Sequence, residues 1–139
     1  MPIEVKNADV IVRVVQERLQ QMRQRLEQVL VDEATEIVLR TQDGKDADGK
    51  PFDEYSPKYA KYRAKRGRKT DPVDLTFTGN MLAAIQTRVE DTTDGARGVI
   101  FFNSALEAAK ARGNMERRRF FGLSDEQVRR IRQRLADDA

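Results

Sequence analysis

The run VQERLQQMRQRLEQVLVDEATEIV, residues 15–38, returns to an apolar side chain every three or four residues. Steps of this length place the apolar groups in one stripe along an α-helix, so the run predicts a long amphipathic helix that ends near Arg40. The stripe is narrow, and its opposite face is rich in glutamine, arginine and glutamate. We therefore expect the helix to lie across a sheet or against a neighbouring subunit. The apolar positions are Val15, Leu19, Met22, Leu26, Val29 or Leu30, Ala34, and Ile37 or Val38.

Boundary signals stand on both sides of this helix. Upstream, Ile3-Glu4-Val5 alternates as a short strand would, and Asn7 or Asp9 can cap the helix through a side-chain oxygen. Downstream, Asp43-Gly44 and Asp48-Gly49 predict turns, because glycine tolerates positive φ and aspartate bonds its own backbone. We expect these turns to stop the helix.

Two shorter helices are predicted in the middle of the chain. Ser56-Pro57 starts one that runs to about Arg66, because proline is tolerated at the first helical position, and Gly67 ends it. The other opens after Thr78, which can act as its cap, with Phe77 in a hydrophobic staple.

A β-hairpin and a final helix complete the predicted elements. Gln86–Glu90 and Arg97–Phe102 flank the turn residues Thr93-Asp94-Gly95, and the second strand carries apolar groups on both faces, so we expect it to be covered on both sides. Ser124-Asp125-Glu126-Gln127 fits a capping box at the start of the helix. The apolar stripe of this helix is Val128, Ile131 and Leu135.

These elements predict an α+β fold: a long N-terminal amphipathic helix packed on a small antiparallel sheet, with short helices and a C-terminal helix, four helices in all. A length of 139 residues favours a single domain. Its expected segments are a long helical segment (1–41), a turn with a basic helix (42–79), a short helix with the hairpin (80–103) and a C-terminal helical arm (104–139).

Composition excludes several classes of function. The absence of cysteine removes disulfides, thiolate catalysis and thiolate metal sites. The chain also lacks histidine, and no paired-carboxylate or Ser-x-x-Lys spacing occurs, so we expect neither an enzyme nor a bound cofactor. No window approaches the roughly 20 apolar residues of a membrane span, so no membrane partner is expected.

An acidic stretch between residues 43 and 54 raises the hypothesis of a calcium site. If an EF-hand loop is aligned with Gly49 as its invariant glycine, Gly44 stands in place of the first carboxylate and Tyr55 in place of the bidentate glutamate. Because these two ligands are missing, a solvated acidic turn is favoured and no metal is expected.

A basic run interleaved with tyrosines follows the acidic turn. Such a composition is typical of a surface that contacts phosphates or stacks on bases, but it would also suit an acidic protein surface. Tyr55, Tyr59 and Tyr62 share one helical face, which favours inward packing for them. The candidates for a basic, DNA-facing surface are Lys58, Lys61, Arg63, Lys65, Arg66, Arg68 and Lys69.

A second basic region lies near the C-terminus, at residues 117–119 and 129–134. The planar fork of arginine pairs carboxylates bidentately, so an intersubunit role competes with nucleic-acid contact and with plain solvation. Phe120 and Phe121 are expected to anchor the C-terminal arm in the core or in a neighbour. The candidate interface residues are Leu19, Met22, Leu26, Arg119, Phe120, Phe121 and Arg130.

The order of the short motifs carries a resemblance to a known family. After the long helix the chain reads DADGKPF (46–52), Tyr55-Ser56-Pro57, the basic run, LTFTGNM (75–81) and RRFFGLS (118–124). This order resembles the phage virion morphogenesis proteins, the tail completion and head-tail joining proteins of the tailed-phage neck. Many members carry a histidine-containing segment after the hairpin, whereas this chain reads NSALEAAKA at 103–111.

The resemblance implies a structural virion protein. It would form a homo-oligomeric ring, expected to be a hexamer, at the neck of the particle, after assembly in the host cytoplasm. Its implied partners are the adjacent head-tail connector and the tail tube or terminator proteins, with non-specific contact to DNA in the channel. The alternative is a small basic nucleic-acid-binding protein that uses residues 58–69.

Overall fold

A helix of 35 residues, α1 (Ala8–Gln42), is the longest element of the computed structural model, which describes residues 8–76, 79–93 and 95–136, with side chains from residue 18 onward. The predicted α+β class is confirmed, since α1 lies beside a two-stranded antiparallel sheet accompanied by short helices and a C-terminal helix. Within the described ranges, no helix is long and apolar enough to cross a membrane. The shorter elements are α2 (Pro57–Lys65), α3 (Asn80–Ala83), β1 (Ile85–Thr92), β2 (Gly95–Phe102), α4 (Ala105–Met115) and α5 (Asp125–Ala136).

The helix α1 passes through two environments. Along its C-terminal half the predicted stripe is buried at Val29, Leu30, Ala34 and Ile37. Between Arg18 and Gln28, in contrast, no side chain is buried. The predicted long helix is therefore confirmed, and among the side chains described from residue 18 onward the stripe is buried from Val29 to Ile37.

The hairpin pairs along its whole length, from Ile85 opposite Phe102 to Thr92 opposite Gly95, and both strands are longer than predicted. Gly98 lets α1 approach the sheet, because a Cβ there would stand 2.6 Å from Cδ1 of Leu30.

The outer face of the hairpin is incompletely covered. Side chains alternate along a strand, so Val99 and Phe101 lie on the face opposite Gly98, and both are only half-buried. Ile100 and Phe102 on the α1 side are equally half-buried, so both faces of the strand are partly covered, and full cover on both sides stays a prediction.

The apolar core gathers loop residues as well as helical ones. The ring of Phe120 is fully buried, and its centroid lies 6.4 Å from that of Phe102 on β2. Phe121 packs at the edge of the same cluster, 4.8 Å from Phe102 between ring centroids. The C-terminal arm is thus anchored in the core of its own chain, one of the two predicted placements. The buried core residues are Phe52, Val73, Leu75, Met81, Leu82, Ala111 and Phe120.

The acidic turn after α1 is closed by its own backbone and side chains. Gly44 and Gly49 have φ values of 82° and 81°, as the predicted turns require. One oxygen of Asp46 accepts hydrogen bonds from the backbone N–H groups of Asp48 and Lys50, both at 2.9 Å. This carboxylate therefore closes the turn.

The start and end of α2 agree with the prediction, and the starts of α1 and α3 are less fully described. The oxygen of Ser56 accepts a hydrogen bond from the N–H of Tyr59, so the predicted start of α2 is confirmed, and Gly67 follows its end with a φ of 68°. Gly79 is the N-cap residue of α3, and Asp9 lies inside α1. The predicted strand at 3–5, the Asn7 cap and the Thr78 cap with its Phe77 staple fall outside the described residues.

The helix α4 is an element that the sequence prediction missed, so the described ranges hold five helices rather than four. Its start is capped by Ser104, whose hydroxyl accepts a hydrogen bond from the N–H of Glu107 at 3.3 Å. The Ser-x-x-Glu spacing of these two residues is the sequence signal that would have identified it.

Arg40 fastens the C-terminal arm to the end of α1. Its guanidinium donates to the carbonyl oxygens of Phe120 at 3.0 Å and Gly122 at 2.6 Å, and to the side-chain oxygen of Gln127 at 2.5 Å. That oxygen also accepts from the N–H of Ser124, while the N–H of Gln127 donates to the Ser124 hydroxyl at 3.0 Å. The predicted capping box is therefore confirmed, and it is tied directly to α1.

Glu33 extends the same connection along α1. Its side chain is almost fully buried and accepts hydrogen bonds from Arg130 at 3.0 Å and 2.5 Å, while the amide nitrogen of Gln127 lies 3.4 Å away. We call the four side chains that make these contacts the α1–α5 network: Glu33, Arg40, Gln127 and Arg130. The network sets the position of α5 on α1.

Replacing Gln127 with alanine should destabilise the protein. The change removes half of the capping box and leaves Arg40 and Glu33 with fewer partners in a buried site, which typically costs about 1–3 kcal/mol. Chemical denaturation followed by circular dichroism measures the free energy of unfolding. The exposed residue Gln133 on the same helix provides the control, and Gln133→Ala should change this free energy by less than about 0.5 kcal/mol. Equal values for the two variants would remove Gln127 from the network.

Glu33 should make the free energy of unfolding depend on pH. Hydrogen bonds from Arg130 hold the pKa of Glu33 below its ordinary value. A carboxyl group with a lowered folded-state pKa contributes stability above its unfolded pKa of about 4.3, and that stability is lost as the pH falls through the folded value. Denaturation at several pH values should therefore show a smaller acid-induced loss in Glu33→Gln than in the parent protein. Glu27→Gln, at an exposed position of the same helix, should keep the parental profile, and identical profiles for all three proteins would contradict this role.

Candidate functional site

An apolar groove of about 470 Å³ lies between the N-terminal half of α1, the turn of the hairpin and the end of α5. Leu19, Met22 and Leu26 line it from α1, and Leu135 lines it from α5. The side chain of Leu19 is 49% exposed and that of Met22 is 60% exposed. Leucine and methionine side chains are ordinarily buried in proteins. An apolar group that covered this groove would therefore bind favourably.

Two polar connections hold the walls of the apolar groove. An ion pair between Arg23 and Asp91 joins α1 to the end of β1. On the other side, α5 is positioned by the α1–α5 network and by an ion pair between Arg134 and Asp32 at 2.7 Å. The helices and the strand that form the groove are therefore held together by ion pairs and hydrogen bonds.

The predicted interface residues of the C-terminal arm are placed differently from those of α1. Phe120 is fully buried in the core, so it has no surface left for a neighbour and its assignment to an interface is corrected. Phe121 is half-buried against the same core. Arg130 is bound to Glu33 and Glu36 of its own chain, which occupies the guanidinium that was assigned to a partner. Arg119 remains exposed, with Asp48 at 3.7 Å.

A second groove, of about 610 Å³, lies between the tyrosine-bearing face of α2 and the end of α4; it is named here the tyrosine groove. Tyr55, Tyr59 and Tyr62 line one side of it. Its described lining includes four cationic side chains and no carboxylate, so the groove is electropositive. The cationic side chains are Arg63, Lys110, Arg117 and Arg118.

Two of the three tyrosines lie on the surface. Tyr59 is 39% exposed and Tyr62 is 43% exposed, so the predicted inward packing is wrong for them. Their rings stack at an interplanar angle of 19° with centroids 6.0 Å apart. The physical reason is that the buried position of α2 is taken by Arg63.

Tyr55 is half-buried at the base of the same face. Its phenol oxygen accepts a hydrogen bond from the N–H of Leu75 at 3.2 Å, and burial raises the pKa of this phenol. Two guanidinium groups contact its ring, with the central carbon of Arg63 at 4.6 Å and that of Arg118 at 5.0 Å from the centroid. Tyr55 thus joins the groove to the core.

Arg63 is a structural residue, and its assignment to a DNA-facing surface is corrected. Its side chain is only 1% exposed. The guanidinium donates to the carbonyl oxygens of Lys69 at 2.7 Å and Thr76 at 2.8 Å, and it lies 3.3 Å from the carboxylate of Asp74. These bonds hold the loop after α2, which has no strand partner to satisfy its carbonyl groups.

The other basic candidates remain on the surface. Lys58, Lys61 and Lys65 are spaced at i, i+3 and i+7, so they share one exposed face of α2. Arg66 lies over the ring of Tyr62, with its guanidinium carbon 3.8 Å from the ring centroid. The exposed candidates are Lys58, Lys61, Lys65, Arg66, Arg68 and Lys69.

Lys110 and Asn114 are residues of the tyrosine groove that the sequence analysis did not single out. They lie at i and i+4 on one face of α4, and Arg117 follows in the turn just after the end of the helix. This spacing becomes visible only once α4 is assigned as a helix. Arg117 and Arg118 were part of the second basic region, but their position opposite α2 depends on the fold.

Comparisons with protein-family models, curated proteins and solved structures find no match to this chain.

Proposed function

We propose that the protein is a structural virion component of a tailed phage or prophage, which forms a ring at the neck as a tail completion or head-tail joining protein. The observation that carries this proposal is the uncovered part of α1 between Arg18 and Gln28. This part of the helix holds two largely exposed apolar side chains beside an apolar groove. The order of the sequence motifs along the chain, which resembles that of the phage neck proteins, supports the role in tail completion or head-tail joining.

A second copy of the chain is the occupant that fits this surface best. The uncovered part of α1 is about 16 Å long at 1.5 Å per residue. Its apolar residues Leu19, Met22 and Leu26 line the apolar groove, so an apolar segment of a neighbouring subunit can enter the groove and cover them. If that segment lies elsewhere on the neighbour's surface, the contact joins two different patches, and repeated rotation around an axis closes it into a ring. A hexamer is the ring order that the resemblance implies.

Charged surfaces outside the apolar groove would meet the layers above and below the ring. The lysine face of α2 and the acidic turn at 43–54 carry opposite charges and line neither wall of that groove. Complementary charge steers association and fixes register between partners. The partners in this proposal are the head-tail connector on one side and the tail tube or terminator on the other.

Charged substitutions in the apolar groove should prevent assembly. Leu19→Asp and Met22→Asp each place a carboxylate in a contact that depends on apolar burial, so we expect a shift of at least tenfold in the subunit concentration at which the oligomer forms. Sedimentation velocity over a concentration series measures this shift. Leu106→Asp, at a 65% exposed leucine on α4 outside the groove, is the matched control and should assemble as the parent protein does. Assembly unchanged in all three variants, or a monomeric parent protein at high concentration, would contradict a ring built through this surface.

Inactivation of the gene in the phage or prophage that carries it tests the specific role. Electron microscopy of the lysate should show filled heads and free tails that fail to join, because a neck ring is required only at the joining step. Overlong tails would instead identify a tail terminator, and normal infectious particles would exclude a required neck protein.

A further inference from the structure

The tyrosine groove combines two features that the assembly proposal does not use. It presents a pair of stacked and partly exposed tyrosines, and its described lining is cationic without a carboxylate. It shares no lining residue with the apolar groove. A ligand that uses both features must carry negative charge and flat aromatic groups.

The cations around the groove are positioned to meet an anion. Arg118 donates to the carbonyl oxygens of Asp53 and Glu54, both at 3.0 Å, so its guanidinium is held in place while other N–H groups remain. Arg117 is exposed and forms no ion pair with any residue of the described ranges. Lys110 pairs with Glu107 at 3.1 Å and is therefore partly neutralised. Two arginines thus remain as the main source of positive charge at this end.

The aromatic side of the groove is suited to stacking. Tyr59 and Tyr62 are nearly parallel and present their rings on the surface of a regular helix. Arg66 covers Tyr62 from one side, and a guanidinium stacked on a ring keeps its N–H edge available for phosphate. The lysine face of α2 continues the positive charge beyond the tyrosines. A groove with aromatic platforms and flanking cations is the arrangement by which proteins hold unpaired strands.

We propose that the tyrosine groove binds single-stranded nucleic acid, with bases packed against the exposed surface of the Tyr59–Tyr62 pair and phosphates at Arg117, Arg118 and Arg66. A duplex fits less well, because its bases are stacked inside and offer no free face to the tyrosines. An acidic peptide would use the arginines and leave the tyrosines without a role. DNA and RNA share the phosphates and the bases that this groove contacts.

Fluorescence anisotropy with labelled dT12 and rU12 at about 50 mM salt tests the proposal. We expect binding that weakens as salt rises, since phosphate contacts release counterions. Tyr59→Leu/Tyr62→Leu should weaken binding at least tenfold, because leucine keeps apolar bulk but offers no ring for stacking. Tyr59→Phe/Tyr62→Phe keeps both rings and should bind within about threefold of the parent protein. Circular dichroism confirms that each variant is folded, and the phenylalanine pair keeps the test decisive if the leucine pair fails to fold.

A matched pair of arginine variants tests the charged part of the groove. Arg117→Ala should weaken oligonucleotide binding by threefold or more, whereas Arg112→Ala, at an exposed position of α4 outside the groove, should have less than a twofold effect.

A deca-glutamate peptide should compete poorly with dT12. Peptide binding equal to that of dT12, with no loss in the leucine pair, would replace the proposal with an acidic-protein site, and binding to neither probe would overturn it. Because Leu19→Asp leaves this groove intact, oligonucleotide binding by that variant separates this proposal from the assembly proposal.

Discussion

The arrangement of the chain depends on the contact between Arg40 near the end of α1 and the segment that leads into α5. Burial lowers the pKa of the Arg40 guanidinium, but arginine stays charged in proteins, so its N–H groups need acceptors. The carbonyl oxygens of Phe120 and Gly122 and the amide oxygen of Gln127 supply them for the two terminal nitrogens, whereas Nε is buried without an acceptor in the described ranges. These three hydrogen bonds hold the C-terminal arm against α1 and hold Phe120 in the core. Removing the Gln127 side chain would leave this partly buried charge with fewer acceptors, which destabilises the fold.

This contact also explains why α1 has two environments. Its C-terminal half is occupied by the hairpin, the core and the α1–α5 network, so the buried stripe ends at Val29. The preceding turns extend past these elements, where, among the described residues, those near the hairpin turn and the end of α5 reach them. The C-terminal half of the helix therefore serves the fold, and the part from Arg18 to Gln28 is the surface that we propose a neighbouring subunit covers. The tyrosine groove is built from α2 and α4 instead, so assembly and nucleic-acid binding would use separate surfaces.

Local signals in the sequence were sufficient for most elements. The stripe of α1, the hairpin flanking residues 93–95, the Ser56 cap and the Ser124-Gln127 box each depend on residues within a few positions of one another. The errors concern distant contacts. Arg63 reads as one more exposed cation in a basic run, and only its bonds to a loop up to 13 residues away make it structural. Arg130 reads as an interface arginine, yet its carboxylate partners lie on α1, far away in sequence. The tyrosines were expected inside because their spacing defines a face, but spacing does not say which face of α2 meets the core.

Cysteine accessibility at Met22 tests most directly whether the part of α1 between Arg18 and Gln28 is covered by a neighbouring subunit. The chain has no cysteine, so Met22→Cys introduces a single thiol into the apolar groove, and Leu106→Cys introduces one outside it. Alkylation rates of both variants would be measured from dilute to concentrated protein. If the subunits assemble through this groove, the thiol at position 22 should react at least tenfold more slowly in concentrated protein, while the thiol at position 106 keeps its rate. Equal and concentration-independent rates at both positions would contradict the assignment of this surface to an interface.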